Sequence, residues 1–316
     1  MKLSKDFKEI KGDASFRKFY RNTKKNSIIV FANREKIKNL LIYDSINKIL
    51  IKNNIIAPKL LSQNYKENYI EIQDLGKKTI YQIFSRNKKN QFLIFKKVIN
   101  ILNKIQLVKD KKIKNFSNKF YLIKDYKSKI LLDEARLFSD WYVPKKLNKK
   151  KINIFNSKFI KEIKLVLSKL NFKNDTFVHR DFHVSNLIIN SKNQIGLIDN
   201  QDALIGNKAY DLASLIDDVR YKTSNSLKDK VYNYYLNTNK TIDVNKFKND
   251  FDILSVLRNL KIIGIFMRLA ERDKKRKYLK LIPYAWNMID SRMSKNKDLI
   301  NLKLLLATNF PKFITK

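Results

Sequence analysis

The hydrophobic pattern changes once along this chain, and that change limits the folds open to it. Up to Gly76 the apolar residues fall in short alternating or β-rich runs, which are typical of strands. One amphipathic helix, EKIKNLLIYDSINKILIKN, interrupts the runs SFRKFYRN, NSIIVFAN, IIAPKLLSQN and ENYIEIQ. After Gly76 the spacing becomes helical. We therefore predict an α+β protein with a small β-rich N-terminal lobe, residues 1–75, and a larger helical lobe, residues 76–316.

Four stretches of the second part have the helical period: QFLIFKKVINILNKIQLV, SKILLDEARLFSDWYV, NSKFIKEIKLVLSKL and most of residues 243–307. A small β-rich island lies among them, made of TFVHRD, NLIIN and QIGLIDN. We interpret the segment between Lys109 and Phe120 as a solvated loop. The island is thus the unusual part of the helical lobe.

Composition excludes several classes of protein. The chain has 316 residues, and its 44% hydrophobic content is enough for a folded core. It has no cysteine, so disulfides, thiolate-held zinc and a cysteine nucleophile are excluded. No signal peptide is visible, and no apolar run reaches the roughly 18 residues that a membrane span requires. We expect a soluble, cytoplasmic monomer that does not bind membranes.

The net charge of +39 raises the question of a nucleic-acid partner. Lysine is spread along the whole chain, however, and is interleaved with asparagine and isoleucine, which share its A- and T-rich codons. Glycine and proline, with GC-rich codons, are scarce. Genomic base composition explains this bias without a polyanionic partner, so we do not expect a nucleic-acid partner. A phosphorylated ligand would still be attracted to such a surface.

The β-rich island carries the chemistry. Its sequence FVHRDFHVSNLIIN holds both histidines of the chain and the pattern H-R-D-x-x-x-x-N, and GLIDNQD follows it. Phosphoryl transfer requires a carboxylate near the attacking hydroxyl and oxygen ligands for magnesium. Asp181 is the candidate carboxylate, and Asn186 and Asp199 are oxygen donors that suit a hard cation.

The two histidines also allow interpretations other than catalysis. His179 and His183 are four residues apart, as in helical zinc sites, but no third histidine or cysteine exists and the surroundings are β-rich. We expect His179 to fix the loop by packing and hydrogen bonding. His183 either lines the substrate side of a cleft or supports the loop, and Asp202 is either a substrate or metal contact or a turn acid.

The motifs resemble those of the aminoglycoside phosphotransferase and choline kinase superfamily, relatives of the protein kinases. HRDFHVSN followed by LIDNQDALIGNKAYDLASLIDD carries the likeness. GDASFRKFYR, IQDLG, LLDEARLFSDWYV and RNLKIIGIFMRLAERDKKRKYLKLIPYAW bring it closer to the bacterial N-acetylmuramate and N-acetylglucosamine kinases of cell-wall recycling. The resemblance implies a bilobal kinase-like fold, with ATP and Mg²⁺ as cofactors.

The resemblance also implies roles for individual residues. Asp181 would be the catalytic base, and Asn186 and Asp199 would be magnesium ligands. Asp211 would anchor the catalytic loop. A turn over the nucleotide phosphates would comprise Gly12, Asp13, Ala14, Ser15 and Phe16. A hinge against adenine would comprise Gln73, Asp74 and Leu75.

Two departures from the kinase pattern stand out. The third strand, SIIVFAN, lacks the lysine that binds the α- and β-phosphates in protein kinases. Arg17, Lys18 or Arg34 would have to supply that charge. Asn200 also stands where a phenylalanine follows the metal-binding acid, which changes the packing expected of that turn.

The sequence therefore predicts an ATP- and magnesium-dependent kinase of the anomeric hydroxyl of an N-acetylated amino sugar. Two alternatives remain open. One is the same chemistry on another small acceptor, such as an aminoglycoside or a choline-like compound. The other is a pseudokinase that binds nucleotide or nucleic acid without catalysis.

Overall fold

The computed structural model describes residues 5–10, 17–32 and 39–314. Hydrogen-bonded pairing defines its strands, and several of them follow the alternating runs of the sequence. The strands are β1 Phe7–Ile10, β2 Lys18–Asn22, β3 Ser27–Phe31, β4 Leu60–Asn64, β5 Tyr69–Gln73, β6 Lys112–Lys114, β7 Phe120–Leu122, β8 Thr176–Val178, β9 Leu187–Ile189, β10 Ile195–Leu197 and β11 Leu204–Gly206.

The helices of the described residues include those predicted from the amphipathic segments of the sequence. They are α1 Asn39–Lys52, α2 Ile80–Arg86, α3 Gln91–Gln106, α4 Ser128–Leu137, α5 Lys149–Leu167, α6 Ala209–Ile216, α7 Asn225–Thr238, α8 Val244–Glu271, α9 Ile282–Met293 and α10 Ile300–Asn309. A π-helical turn, Phe138–Tyr142, continues α4. In the described ranges no helix has the length and apolarity needed to cross a membrane.

The chain forms two compact units. The first comprises Met1–Lys124 and Thr176–Ile205, and the second comprises Asp125–Asp175 and Gly206–Lys316. The predicted lobe boundary after residue 75 stays a prediction. The α+β class predicted from the sequence is confirmed.

A five-stranded antiparallel sheet dominates the first unit. Its strand order is β1-β2-β3-β5-β4. Val30 on β3 pairs with Ile70 on β5, and both pack with Leu40 and Tyr43 of α1. The apolar spacing of α1 therefore covers one face of the sheet, because residues three apart share a helix face.

The predicted loop between Lys109 and Phe120 is partly a hairpin, so that prediction is wrong. Strands β6 and β7 pair antiparallel, with Ile113 opposite Tyr121. The ammonium groups of Lys112 and Lys114 lie 4.3 and 5.3 Å from the centre of the Phe120 ring. Cross-strand contacts of this kind stabilise short strands that carry almost no apolar alternation.

Aromatic side chains fill the core of the second unit. Phe138 packs edge-on against Trp286, and Trp286 donates a hydrogen bond from Nε1 to the hydroxyl of Tyr142 at 3.2 Å. Helix α8 passes this cluster at Gly264, where an added Cβ would lie 2.2 Å from the backbone carbon of Leu137. Only glycine permits this approach of α8 to the end of α4.

A buried carboxylate connects four helices of the second unit. Asp217, directly after α6, accepts from Lys228 of α7 at 2.8 Å and from Ser255 of α8 at 2.6 Å. Arg292 of α9 donates to it from Nε at 2.9 Å. Burial alone would raise the pKa of Asp217, but the charges of Arg292 and Lys228 outweigh burial and lower it.

Candidate active site

The H-R-D segment follows β8, and the D-N-Q-D segment follows β10, both in the first unit. One residue of each segment has a left-handed backbone: Arg180 has φ 73° and Asp199 has φ 65°. Such conformations are uncommon outside glycine and cluster at functional sites. Arg180 directly precedes Asp181, and Asp199 is itself a predicted site residue, so the backbone is constrained at both predicted positions.

Asn186 is tied to the backbone of Asp181. Its side-chain nitrogen donates to the Asp181 carbonyl oxygen at 3.0 Å, and the His183 amide donates to the same oxygen at 3.0 Å. The Asp181 carboxylate is half-buried. The nitrogen of Asn186 is used for this bond, and its amide oxygen makes no hydrogen bond within the described residues. That oxygen is the part of the side chain that binds cations.

The β9–β10 hairpin brings Asn186 and Asp199 to one end. Leu187 pairs with Leu197, and the Ile198 amide donates to the Asn186 carbonyl at 3.1 Å. Asn186 precedes the first strand of this hairpin, and Asp199 follows the second. Antiparallel pairing therefore explains how Asn186 and Asp199 lie at the same end of the hairpin although a strand, a turn and a strand separate them.

Asp199 has two protein partners, and both use the same oxygen. Arg17 Nη2 donates to Asp199 Oδ1 at 2.5 Å, and Gln201 Nε2 donates to it at 3.3 Å. Among the described residues, no hydrogen bond is made to Oδ2. The Asp199 side chain as a whole is 35% exposed.

The donor set fits Mg²⁺ when the phosphates supply the other ligands. Asn186 offers a carboxamide oxygen and Asp199 a carboxylate oxygen, which are hard ligands. In the described ranges, this site included, no cluster of three or more histidine, aspartate or glutamate side chains could hold a metal ion. A cation held by only two protein ligands suits magnesium, which keeps waters and shares substrate phosphates.

A buried polar chain supports both segments from α1. The Asn200 side chain lies 2.8 Å from His179 Nε2, and its Nδ2 donates to Asn47 Oδ1 at 2.8 Å. His179 and Asn200 are fully buried. The asparagine that stands in place of phenylalanine thus joins the H-R-D segment to α1.

Sequence reasoning missed Asn47 and its neighbour Tyr43. The signal was available, because the apolar face of α1 carries the polar residues Tyr43, Asp44 and Asn47, all buried. Burial raises the pKa of Tyr43 to about 12, against the lowering effect of Arg17. Its phenol is therefore neutral at physiological pH.

The predicted hinge is held by Arg21. Its Nε donates to the Asp74 carboxylate at 2.5 Å and its Nη2 donates to the Gly76 carbonyl at 3.0 Å. The amides of Gln73 and Asp74 donate to Lys59 and Asn26 carbonyls. Of the three predicted hinge amides, only that of Leu75 makes no hydrogen bond within the described residues.

A cavity of about 560 Å³ borders the same hinge. Its lining includes Gln73, Asp74, Ala57 and Lys192, but neither Asp181 nor Asp199. This cavity is therefore separate from the end of the β9–β10 hairpin at which Asn186 and Asp199 lie.

The other predicted site residues are placed as follows. The turn Gly12–Phe16 lies outside the described residues. His183 is buried, and its Nε2 lies 3.4 Å from Asn186 Nδ2. Asp202 is exposed, and its carbonyl accepts from Arg180 at 3.1 Å. Asp211 is buried in the first turn of α6, in the second unit, so its support of the catalytic loop stays a prediction.

Comparison with known proteins identifies the family of the chain. Residues 6–242, more than half of the chain, match the model of the phosphotransferase enzyme family. The chain belongs to this family. A relative from Pseudomonas aeruginosa, named N-acetylmuramate/N-acetylglucosamine kinase, is 25% identical over 303 residues, which cover 94% of this chain and 86% of that protein.

Solved structures of this family share the fold at low sequence identity. A choline/ethanolamine kinase family protein from Mesorhizobium loti superposes with a TM-score of 0.65 at 10% identity, covering 96% of this chain and 92% of that one. An ADP-bound aminoglycoside phosphotransferase superposes with a TM-score of 0.58 at 14% identity, covering 90% and 94%. The kinase-like fold predicted from the sequence is confirmed.

Proposed function

We propose that this phosphotransferase transfers the γ-phosphoryl group of ATP to the anomeric hydroxyl of an N-acetylated amino sugar. The position of Asn186 is the main support, because it is bonded to the Asp181 backbone and adjoins Asp199 across the hairpin. The name of the Pseudomonas relative supports the choice of acceptor. N-acetylmuramate and N-acetylglucosamine are therefore the substrates to test first.

The chemistry assigned to Asp181 is proton transfer. The hydroxyl oxygen attacks the γ-phosphorus as its proton passes to the Asp181 carboxylate, and the bond from phosphorus to the β–γ bridging oxygen breaks. The products are the sugar phosphate, ADP and one proton. Asn186 and Asp199 would hold Mg²⁺, which neutralises charge on the phosphates when bound.

The nucleotide end of the site is proposed to use the hinge. The Leu75 amide is the donor left for adenine, while Arg21 fixes the backbone through Asp74 and Gly76. The turn Gly12–Phe16 would cover the phosphates. His183 and Asp202 remain candidate contacts of the sugar.

A substitution at Asp181 tests the mechanism. Asp181→Ala should lower the rate of phosphoryl transfer by about 10²–10⁴-fold while ATP still binds, because the general base is lost but not the nucleotide site. Asp199→Ala should also weaken Mg-ATP binding. Glu67→Ala, an exposed acid of the same unit, is the control and should change neither quantity. Transfer at the parental rate by Asp181→Ala would refute the assignment.

An acceptor screen tests the substrate. Radiolabelled ATP is incubated with N-acetylglucosamine, N-acetylmuramate, plain hexoses, aminoglycosides and choline. We expect label on the two N-acetylated sugars. Label on choline or an aminoglycoside alone would refute the amino-sugar substrate and leave the kinase activity standing, whereas no transfer to any acceptor would favour a pseudokinase.

A further inference from the structure

Strand β3 lacks the cationic side chain with which a kinase binds the nucleotide phosphates. Its sequence SIIVF has no basic residue, although the triphosphate is normally bound by a lysine on this strand. Arg17, Lys18 and Arg34 are the nearby basic residues of the sequence. Arg34 lies outside the described ranges, and Lys18 is exposed at the start of β2. Arg17 is different, because it is only 5% exposed.

The guanidinium of Arg17 is fixed at the carboxylate of Asp199. Nη2 lies 2.5 Å from Asp199 Oδ1, and Nη1 donates to Gln201 Oε1 at 2.8 Å. Its central carbon lies 5.7 Å from the Phe19 ring centre and 5.8 Å from that of Tyr43. The β-sheet and α1 thus hold this charge beside the proposed metal ligand through two aromatic faces.

Stability alone gives little reason to keep such a pair. An ion pair between a buried guanidinium and a partly exposed carboxylate is often no more stabilising than apolar side chains of similar volume, because the guanidinium loses its hydration. Guanidinium is also the side-chain group that binds phosphate oxygens in a fixed, bidentate geometry. Both of the hydrogen bonds that described residues make to Asp199 use Oδ1, so a cation would bind through Oδ2 while Arg17 holds the carboxylate in place.

We propose that Arg17 supplies the cation that β3 lacks: it binds the α- or β-phosphate of the nucleotide and orients Asp199. This inference rests on the nucleotide part of the proposed function and is independent of the acceptor. A residue at the start of β2 would thereby replace a residue of β3. Lys18, one position further along, faces solvent and is not used.

The test is nucleotide affinity of the full chain, measured by calorimetry in EDTA with ATP, ADP and adenosine. Arg17→Gln should weaken ATP and ADP binding by about 10–100-fold, because a charge-assisted hydrogen bond to phosphate is lost. Adenosine, which has no phosphate, should bind within about twofold of the parental value. Lys18→Gln is the matched control and should bind all three ligands as the parent does.

A second pair of variants separates phosphate binding from mere neutralisation of Asp199. Arg17→Gln combined with Asp199→Asn removes both charges together, so the fold keeps no unpaired carboxylate. Relative to Asp199→Asn alone, the double variant should still lose about 10-fold or more in ADP affinity in EDTA. Equal ADP affinity of these two variants would overturn the proposal, and so would equal losses for adenosine and ADP.

Failure of this inference differs from failure of the proposed function. A parental chain that binds ADP but is insensitive to Arg17→Gln would overturn the role of Arg17 alone. A parental chain that binds no nucleotide would overturn both. If the chain binds ADP through Arg17 but phosphorylates no amino sugar, only the acceptor assignment is wrong.

Discussion

Asn200 shows how one buried side chain connects separate segments of this site. It is fully buried and joins His179 to Asn47. The sequence showed that phenylalanine was absent after Asp199 but gave no means of finding the partners, because Asn47 is 153 positions away. The proximity of Asp181 and Asn186 was predictable, since their spacing of five within one loop reflects local geometry. The ion pair of Arg17 and Asp199, 182 positions apart, was not.

Asn200→Leu should therefore destabilise the protein. Leucine has the same branching but is larger, and it leaves His179 Nε2 and Asn47 Oδ1 without this partner, at a cost of about 1–3 kcal/mol for each unsatisfied group. Urea unfolding would measure the loss as a lower midpoint. Asn245→Leu, at an exposed position on α8, serves as the control and should change the midpoint little.

At the scale of elements, helix contacts depend on close approaches that periodicity does not report. The helical segments were predictable because their apolar spacing is regular. The hairpin of β6 and β7 was missed because lysines and one aromatic ring stabilise it. The contact of α8 with the end of α4 was also hidden, since Gly264 resembles any helical glycine until its neighbour Leu137 is known.

The sign of the stability change caused by Gly264→Ala tests that contact. In an exposed helix interior, alanine in place of glycine stabilises by about 1 kcal/mol. Here the new Cβ would meet Leu137 backbone atoms at 2.2 and 2.3 Å, so helices must separate and stability should fall by about 1–3 kcal/mol. Thermal unfolding measures the change. A raised melting temperature would contradict the packing described for α4 and α8.

Asp217→Asn tests the carboxylate shared by α7, α8 and α9. At pH 7 it should cost about 3 kcal/mol, because Lys228 and Arg292 lose their buried counter-charge. The folded-state pKa of Asp217 is lowered, so its stabilisation is present above about pH 4, the unfolded value, and is lost as the pH falls further.

Denaturant unfolding from pH 7 down to pH 3 would follow this difference between parent and variant. The difference in unfolding free energy between parent and variant should be constant near neutrality and should become smaller on the acid side. Asp133→Asn, which breaks an exposed pair with Lys129, should cost less than about 0.5 kcal/mol at any pH. A difference in unfolding free energy that grew on acidification would contradict the lowered pKa of Asp217.

For the whole molecule, the charge of +39 predicts behaviour rather than fold. Any binding of RNA or DNA should be electrostatic and should fall steeply between about 50 and 200 mM salt, because counterions compete for the phosphates. Filter binding with two unrelated sequences of equal length would show equal affinity. A strong sequence preference that survives high salt would instead indicate a dedicated nucleic-acid site.

The first unit is discontinuous in the chain, since it takes Met1–Lys124 and then Thr176–Ile205. Proteins are synthesised from the N-terminus, and folding follows the order in which segments emerge. On the ribosome, the five-stranded sheet can assemble early, but the hairpin of β9 and β10 comes only after Asp125–Asp175 has been translated. The end of the hairpin that carries the proposed site is thus completed late, and a nascent chain arrested before Thr176 would have the sheet without Asp181, Asn186 and Asp199.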